Sequence, residues 1–170
     1  MRAEFINPFL VATHDVFRVM LNCELTRGEL GLKRNRSPEY EVSGLIGLSG
    51  RCQGMVVVSL GRSTALQAAE AMLGERCDDL NRDVADAVGE LANMIAGAAK
   101  TLLEEYELLI GLPTVVCGRN HIVSFPSNSV PVFLPFESKM GPVSVEVGIV
   151  ENPLSKGGSS AKETAAFSMS

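Results

Sequence analysis

Glu90 and Asn93 are the residues of this chain whose types and spacing point to chemistry. Three positions apart on a helix, their side chains point the same way. A carboxamide is no base, but it donates and accepts hydrogen bonds together, so it can aim a water at a phosphorus atom. In-line placement of water is a recognised contribution to phosphoryl hydrolysis. The neighbouring carboxylate can take a charge-assisted bond from a Lys or Arg of a substrate. A Glu and an Asn are also ordinary residues of a solvent-facing helix, and spacing alone favours that plainer account. Gly97, one turn beyond Asn93, weighs against it. Gly costs about 1 kcal/mol relative to Ala in a helix interior, and its bare backbone leaves room for a partner to approach.

Competing chemistry is sparse. His14 lies mid-helix beside Asp15 and His121 heads an extended run, and both read as structural or surface residues. Cys23, Cys52, Cys77 and Cys117 are scattered with no C-x-x-C pair, which predicts reduced thiols, buried or half-buried, and no zinc site. There is no G-x-x-x-x-G-K and no G-x-G-x-x-G after a strand; Gly44, Gly47 and Gly50 read as turn or bulge glycines. A net charge of -5 argues against nucleic acid. No basic segment leads an apolar run at the N-terminus, and no uncharged apolar stretch reaches the ~18 residues of a membrane span. The expectation is a cytoplasmic protein without membrane contact.

The pair must be held by a helix, and the run from Asn81 onward supplies one. Asn81 is a good N-cap, and Asp83 and Asp86 complement the helix dipole. Val84, Val88, Leu91, Ile95, Ala98 and Leu102 recur at alternating spacings of four and three, forming a core-facing stripe. Ala85, Gly89, Ala92, Ala96 and Ala99 form a second stripe small enough for another backbone to come close. Asp83, Asp86, Glu90, Asn93, Gly97 and Lys100 make the polar face. The helix is predicted to run to about 106–109, where Gly111-Leu112-Pro113 stops it.

A first helix is predicted over 8–25, with Asn7 as cap, Pro8 in its first turn and Arg27-Gly28 at its end. A shorter helix begins at Ser63-Thr64 and ends at Gly74. Strands are predicted over 40–48 and 55–60, joined by a turn over 49–54, with further short strands over 114–117 and 121–125. A second hairpin spans 130–136 and 143–150; Pro131 and Pro135 place its first strand at an edge or bulge. In its second strand Val143, Val145, Val147 and Ile149 alternate with Ser144, Glu146 and Gly148, the pattern of one buried face. Each long helix precedes a hairpin, so two helix-plus-hairpin halves would share one sheet. The expected fold is α+β, a two-layer sandwich of long helices on a largely antiparallel sheet. It forms a single domain over 1–151, with a disordered tail over 152–170.

The run Asp83-Val84-Ala85-Asp86-Ala87-Val88-Gly89-Glu90-Leu91-Ala92-Asn93-Met94-Ile95-Ala96-Gly97 closely resembles the signature helix of the CheX proteins, within the CheC/CheX/FliY group of chemotaxis phosphatases. Ala3-Glu4-Phe5-Ile6-Asn7-Pro8-Phe9, the run Val42-Ser43-Gly44-Leu45-Ile46-Gly47-Leu48-Ser49-Gly50 and Val132-Phe133-Leu134-Pro135-Phe136 are also similar to CheX. The resemblance implies hydrolysis of the aspartyl phosphate of a CheY-like response regulator in two-component signalling. Glu90 would bind the regulator's Lys and Asn93 would orient the attacking water. Asp86 matches an acidic or Ser position of the signature, and Gly97 would give clearance to the partner. Mg2+ would come with the regulator, leaving this chain without a cofactor or metal of its own, and the chain would form a homodimer. Glu4 and Asn7 repeat the bare spacing, but Pro8 and the missing Gly-rich context make that segment a cap and entry to the first helix. The rival readings are a non-catalytic module that docks on a regulator or flagellar switch component, and a dimeric scaffold.

Overall fold

The β-branched and apolar runs form one sheet, and the three amphipathic segments form helices on one of its faces. The computed structural model describes residues 3–35, 37–126 and 129–152. In chain order the elements are α1 (Ala3–Leu21), β1 (Thr26–Arg27), β2 (Gly31–Leu32), β3 (Val42–Ser49), β4 (Cys52–Leu60), α2 (Arg62–Leu73), α3 (Arg82–Thr101), a 3-10 turn (Glu104–Tyr106), β5 (Leu109–Ile110), β6 (Thr114–Cys117), β7 (Val132–Glu137) and β8 (Val143–Glu151). The sheet order is β1-β7-β8-β4-β3-β5, with β2 also on β7 and β6 also on β3, and every pairing is antiparallel.

The two halves meet at the sheet centre, where β4 and β8 pair from Cys52↔Glu151 to Leu60↔Val143. Each half is a helix, two short strands and a hairpin. The short strands are exchanged: β1 and β2 of the first half cover β7 of the second, and β5 and β6 of the second cover β3 of the first. β7 is therefore not the free edge that its prolines suggested. Pro135 falls in the gap between β1 and β2, and its carbonyl accepts from Gly28 N–H at 2.8 Å. Its ring nitrogen points the same outward way, so the β8 ladder loses no donor.

Between sheet and helices lies the core. Val56, Val58, Leu60, Val143, Val145 and Val147 meet Phe9, Phe17, Leu91 and Ile95, all essentially without exposure. β8 departs from the one-faced pattern, because Ser144 and Glu146 are buried as well. Residues 118–126 cross the sheet's other face. Val123 is buried there, and a Cβ on Gly148 would lie 2.5 Å from Phe125 Cδ1. Residues 121–125, predicted as a strand, are part of this crossing and pair with no strand among the described residues. The bare backbone at Gly148 leaves the room that the Phe125 ring takes.

The helix boundaries differ from those predicted. α1 begins at Ala3, so Asn7 is neither cap nor entry residue and Pro8 lies inside the helix. Burial of Phe5 and Ile6, with Phe5 against Tyr106 (ring centroids 4.7 Å), draws the earlier turn into the helix. α1 ends at Leu21 rather than near Arg27: Asn22 takes φ 46°, and Cys23 N–H reaches back to Phe17 O at 3.1 Å. The left-handed turn at Asn22, a conformation glycine more often supplies, ends the helix there. The N-cap of α2 is Gly61, not Ser63 or Thr64; Thr64 is buried and donates toward Met140 O and Pro142 O instead. Gly74 ends α2 as predicted, with φ 73°. α3 stops at Thr101, so Leu102 leaves the buried stripe and is exposed, while Leu103 is buried. The turn between β3 and β4 is Gly50-Arg51, shorter than predicted. The expected tail lies outside the described residues beyond Asn152.

Candidate functional site

α3 carries all four residues that the sequence assigned to the site, Asp86, Glu90, Asn93 and Gly97. Its start is fixed by Asn81, whose Oδ1 accepts from Val84 N–H at 3.0 Å, as predicted. Val84, Val88, Leu91 and Ile95 are fully buried against the sheet and the other helices. This apolar stripe locks the rotation of the helix about its axis and thereby decides what faces water. The small-residue stripe meets a sheet strand, as its side-chain sizes suggested. A Cβ added at Gly44 of β3 would sit 2.8 Å from Ala92 Cβ and 3.3 Å from Val88 O. On the β6 side a Cβ at Gly89 would lie 3.1 Å from Val115 Cγ2 and 3.5 Å from Pro113 Cβ.

What remains outward is the polar face. Glu90 is exposed, and Asn93 and Gly97 are half-buried. Among the described residues, neither Glu90 nor Asn93 has a hydrogen-bond or ion-pair partner within the chain. Both side chains are thus held in position by their helix and left open for an outside group. Asp86 is exposed and stands 3.7 Å from Arg82 Nε, an i, i+4 ion pair in water that adds little stability. A Cβ on Gly97 would be 3.9 Å from Ile110 Cδ1, an ordinary contact, so packing within the chain does not demand a glycine there.

The four residues Asp86, Glu90, Asn93 and Gly97 therefore share one face of α3. Glu4 and Asn7 do not form a matching pair: the Glu4 carboxylate accepts from Tyr106 Oη at 2.9 Å. His14 is packed edge-on to Phe136, with ring centroids 5.5 Å apart. His121 sits with Nδ1 3.0 Å from Gly118 O and Nε2 3.3 Å from Ser43 Oγ, tying the crossing segment to β3. Cys23, Cys52 and Cys77 are buried, whereas Cys117 is exposed, against expectation, because β6 lies at the rim of the sheet. Among the described residues no group of three or more His, Cys, Asp or Glu side chains is placed to hold a metal. Nor is any described helix long and apolar enough to cross a membrane.

Two features escaped the sequence reading. One is the turn 109–113 beside α3, where Gly111-Leu112-Pro113 had registered only as a helix stop. The other is a buried ion pair on the sheet's outer face, Lys33 Nζ to Glu146 Oε1 at 3.0 Å, with Lys33 also 3.5 Å from Glu39. Burial pushes the Glu146 carboxyl above its ordinary pKa, more than Lys33 pulls it down. The alternation in β8 concealed this pair, because it assigned residue 146 to solvent.

The family described as chemotaxis phosphatase CheX matches residues 42–137, more than half of the chain. The CheY-P phosphatase CheX of Thermotoga maritima is 28% identical over 123 residues, covering 71% of this chain and 79% of that protein. A CheC-like superfamily protein from Shewanella sp. PV-4 is similar in structure, with TM-score 0.81 and 36% identity, covering 88% of this chain and 99% of that one. In a solved CheX–CheY–BeF3–Mg2+ complex from Borrelia burgdorferi, the matching chain has TM-score 0.73 and 30% identity, covering 88% of this chain and all of that one.

Proposed function

This chain belongs to the CheX family of chemotaxis phosphatases, and from that premise we propose that it hydrolyses the aspartyl phosphate of a phosphorylated CheY-type response regulator. The observation that carries the assignment of roles is the open pair on α3: Glu90 and Asn93 share one outward face with no partner among the described residues. Asn93 enters the regulator's active site and orients the attacking water. Its carboxamide oxygen accepts from the water while its NH2 donates to a phosphoryl or carboxylate oxygen. The water oxygen bonds to phosphorus, the bond from phosphorus to the Asp carboxylate breaks, and inorganic phosphate leaves with the Asp restored. The transition state is loose, so placement and charge stabilisation supply most of the catalysis. Glu90 takes a charge-assisted bond from the regulator's Lys and holds the two proteins in register. Asp86 and Gly97 border the docked partner, the glycine leaving its backbone bare.

Mg2+ belongs on the regulator in this scheme, in keeping with the Mg2+ and beryllofluoride present in the Borrelia complex. The chain works in the cytoplasm as a homodimer, with one α3 per subunit, assembled through sheet edges or α1. A non-catalytic docking module is the competing account, and one assay separates the two. Wild-type chain should accelerate phosphate loss from a phosphorylated regulator. Asn93→Ala should keep the fold and the binding but lose about 10²-fold of that acceleration. Glu90→Ala should raise the regulator Kd roughly tenfold or more. Unchanged phosphate decay on adding wild-type protein would leave only the docking account.

A further inference from the structure

We propose that Leu112, at the tip of the turn between β5 and β6, is an apolar anchor for the receiver domain that docks on α3; this rests on the reading of α3 as a regulator-binding helix. Leu112 is 91% exposed, the highest value among the large apolar side chains described. It is nevertheless mounted rigidly. On one side β5 pairs with Leu48 and Ser49 of β3, and on the other β6 pairs with residues 42–45. Between them Gly111 N–H donates to Gly47 O at 2.8 Å, and Pro113 fixes its own φ.

The turn also has a definite level along α3. A Cβ on Gly89 would lie 3.5 Å from Pro113 Cβ, and one on Gly97 would lie 3.9 Å from Ile110 Cδ1. Asn93 is one helical turn from each of those glycines. Gly111 and Leu112, between Ile110 and Pro113, therefore pass beside Asn93. An outside domain that brings its phosphorylated residue to Asn93 must cover this turn too.

Rigid apolar side chains beside polar contacts are what binding hot spots are made of: burying them releases water, and little conformational freedom is left to lose. Leu112 would thus set affinity and choice of regulator, while Asn93 places the water. It is a positioning residue and does not touch the reacting atoms.

The test compares full-length wild type, Leu112→Ser and Asn93→Ala. Calorimetric titration against CheY-type receivers from the same genome, activated with beryllofluoride and Mg2+, gives Kd. Phosphate decay at limiting and saturating chain gives the rate, and sedimentation gives the mass. Leu112→Ser should raise Kd about 10- to 100-fold, slow decay at limiting chain and restore it at saturation, with melting temperature and mass unchanged. Asn93→Ala should show the opposite split. Wild-type Kd in Leu112→Ser would overturn the anchor and leave the phosphatase assignment standing. A changed mass would assign Leu112 to a second copy of the chain and overturn the anchor as well. Receiver binding that Leu112→Ser weakens, with no acceleration of phosphate loss by wild type, would sustain the anchor and overturn the phosphatase assignment.

Discussion

Replacing Gly44 by Ala should move the helix that carries the candidate site. The new Cβ would stand 2.8 Å from Ala92 Cβ and 3.3 Å from Val88 O, with no flexible side-chain end available to swing aside. Carbon atoms in contact settle at about 3.5–4.0 Å, so α3 must retreat by about 1 Å where it crosses β3. Overpacking of this kind costs about 1–3 kcal/mol. In a chain of this size each kcal/mol lowers the melting temperature by roughly 2–4 °C, so the fall should lie between about 2 and 12 °C. Asn93 follows Ala92 directly, and a 1 Å misplacement of a positioning group costs about 10²-fold in rate. The assay pairs a calorimetric melting scan with stimulated phosphate decay of the regulator. Gly47→Ala is the control, because nothing lies within 4 Å of the Cβ it would add on the same strand. The double variant Gly44→Ala with Ala92→Gly relieves the closest contact. It should recover most of the rate while keeping the ~1 kcal/mol cost of a helical glycine. If Gly44→Ala melts and turns over like Gly47→Ala, the close approach of β3 does not fix α3 and the reasoning fails.

Substitutions at two further positions test the frame around the site. Glu146 is raised above its ordinary value of 4.5 by burial, so the fold prefers its protonated form. That contribution is fully present below about pH 4.5 and is lost as pH rises through the raised value. Glu146→Gln should therefore flatten the decline in urea midpoint as pH is raised above 4.5, and an unchanged pH slope would count against the assignment. Asn81→Ala removes the acceptor of Val84 N–H and should cost about 1 kcal/mol in chemical denaturation, whereas Asn81→Asp should retain it.

Much of the site was legible in the sequence because it lies on one helix. Periodicity placed Val84, Val88, Leu91 and Ile95 inward, and the same geometry put Glu90, Asn93 and Gly97 outward together. The cap at Asn81 and the small-residue stripe were also local signals, each with its own chemistry. The fold class followed from two helix-plus-hairpin patterns. Boundaries were read less well, because burial of Phe5 and Ile6 outweighed the local capping signal of Asn7-Pro8, and because Asn22 took the left-handed turn that glycine was expected to supply. Tertiary structure alone decided which strand receives the small stripe, how the short strands exchange between halves, and that residues 118–126 cover the far face of the sheet. It also decided what stands beside Asn93. Leu112 follows Asn93 by 19 positions, and no spacing rule connects them. The turn that carries Leu112 reaches the level of Asn93 because β5 and β6 pair with β3, on which α3 itself is packed.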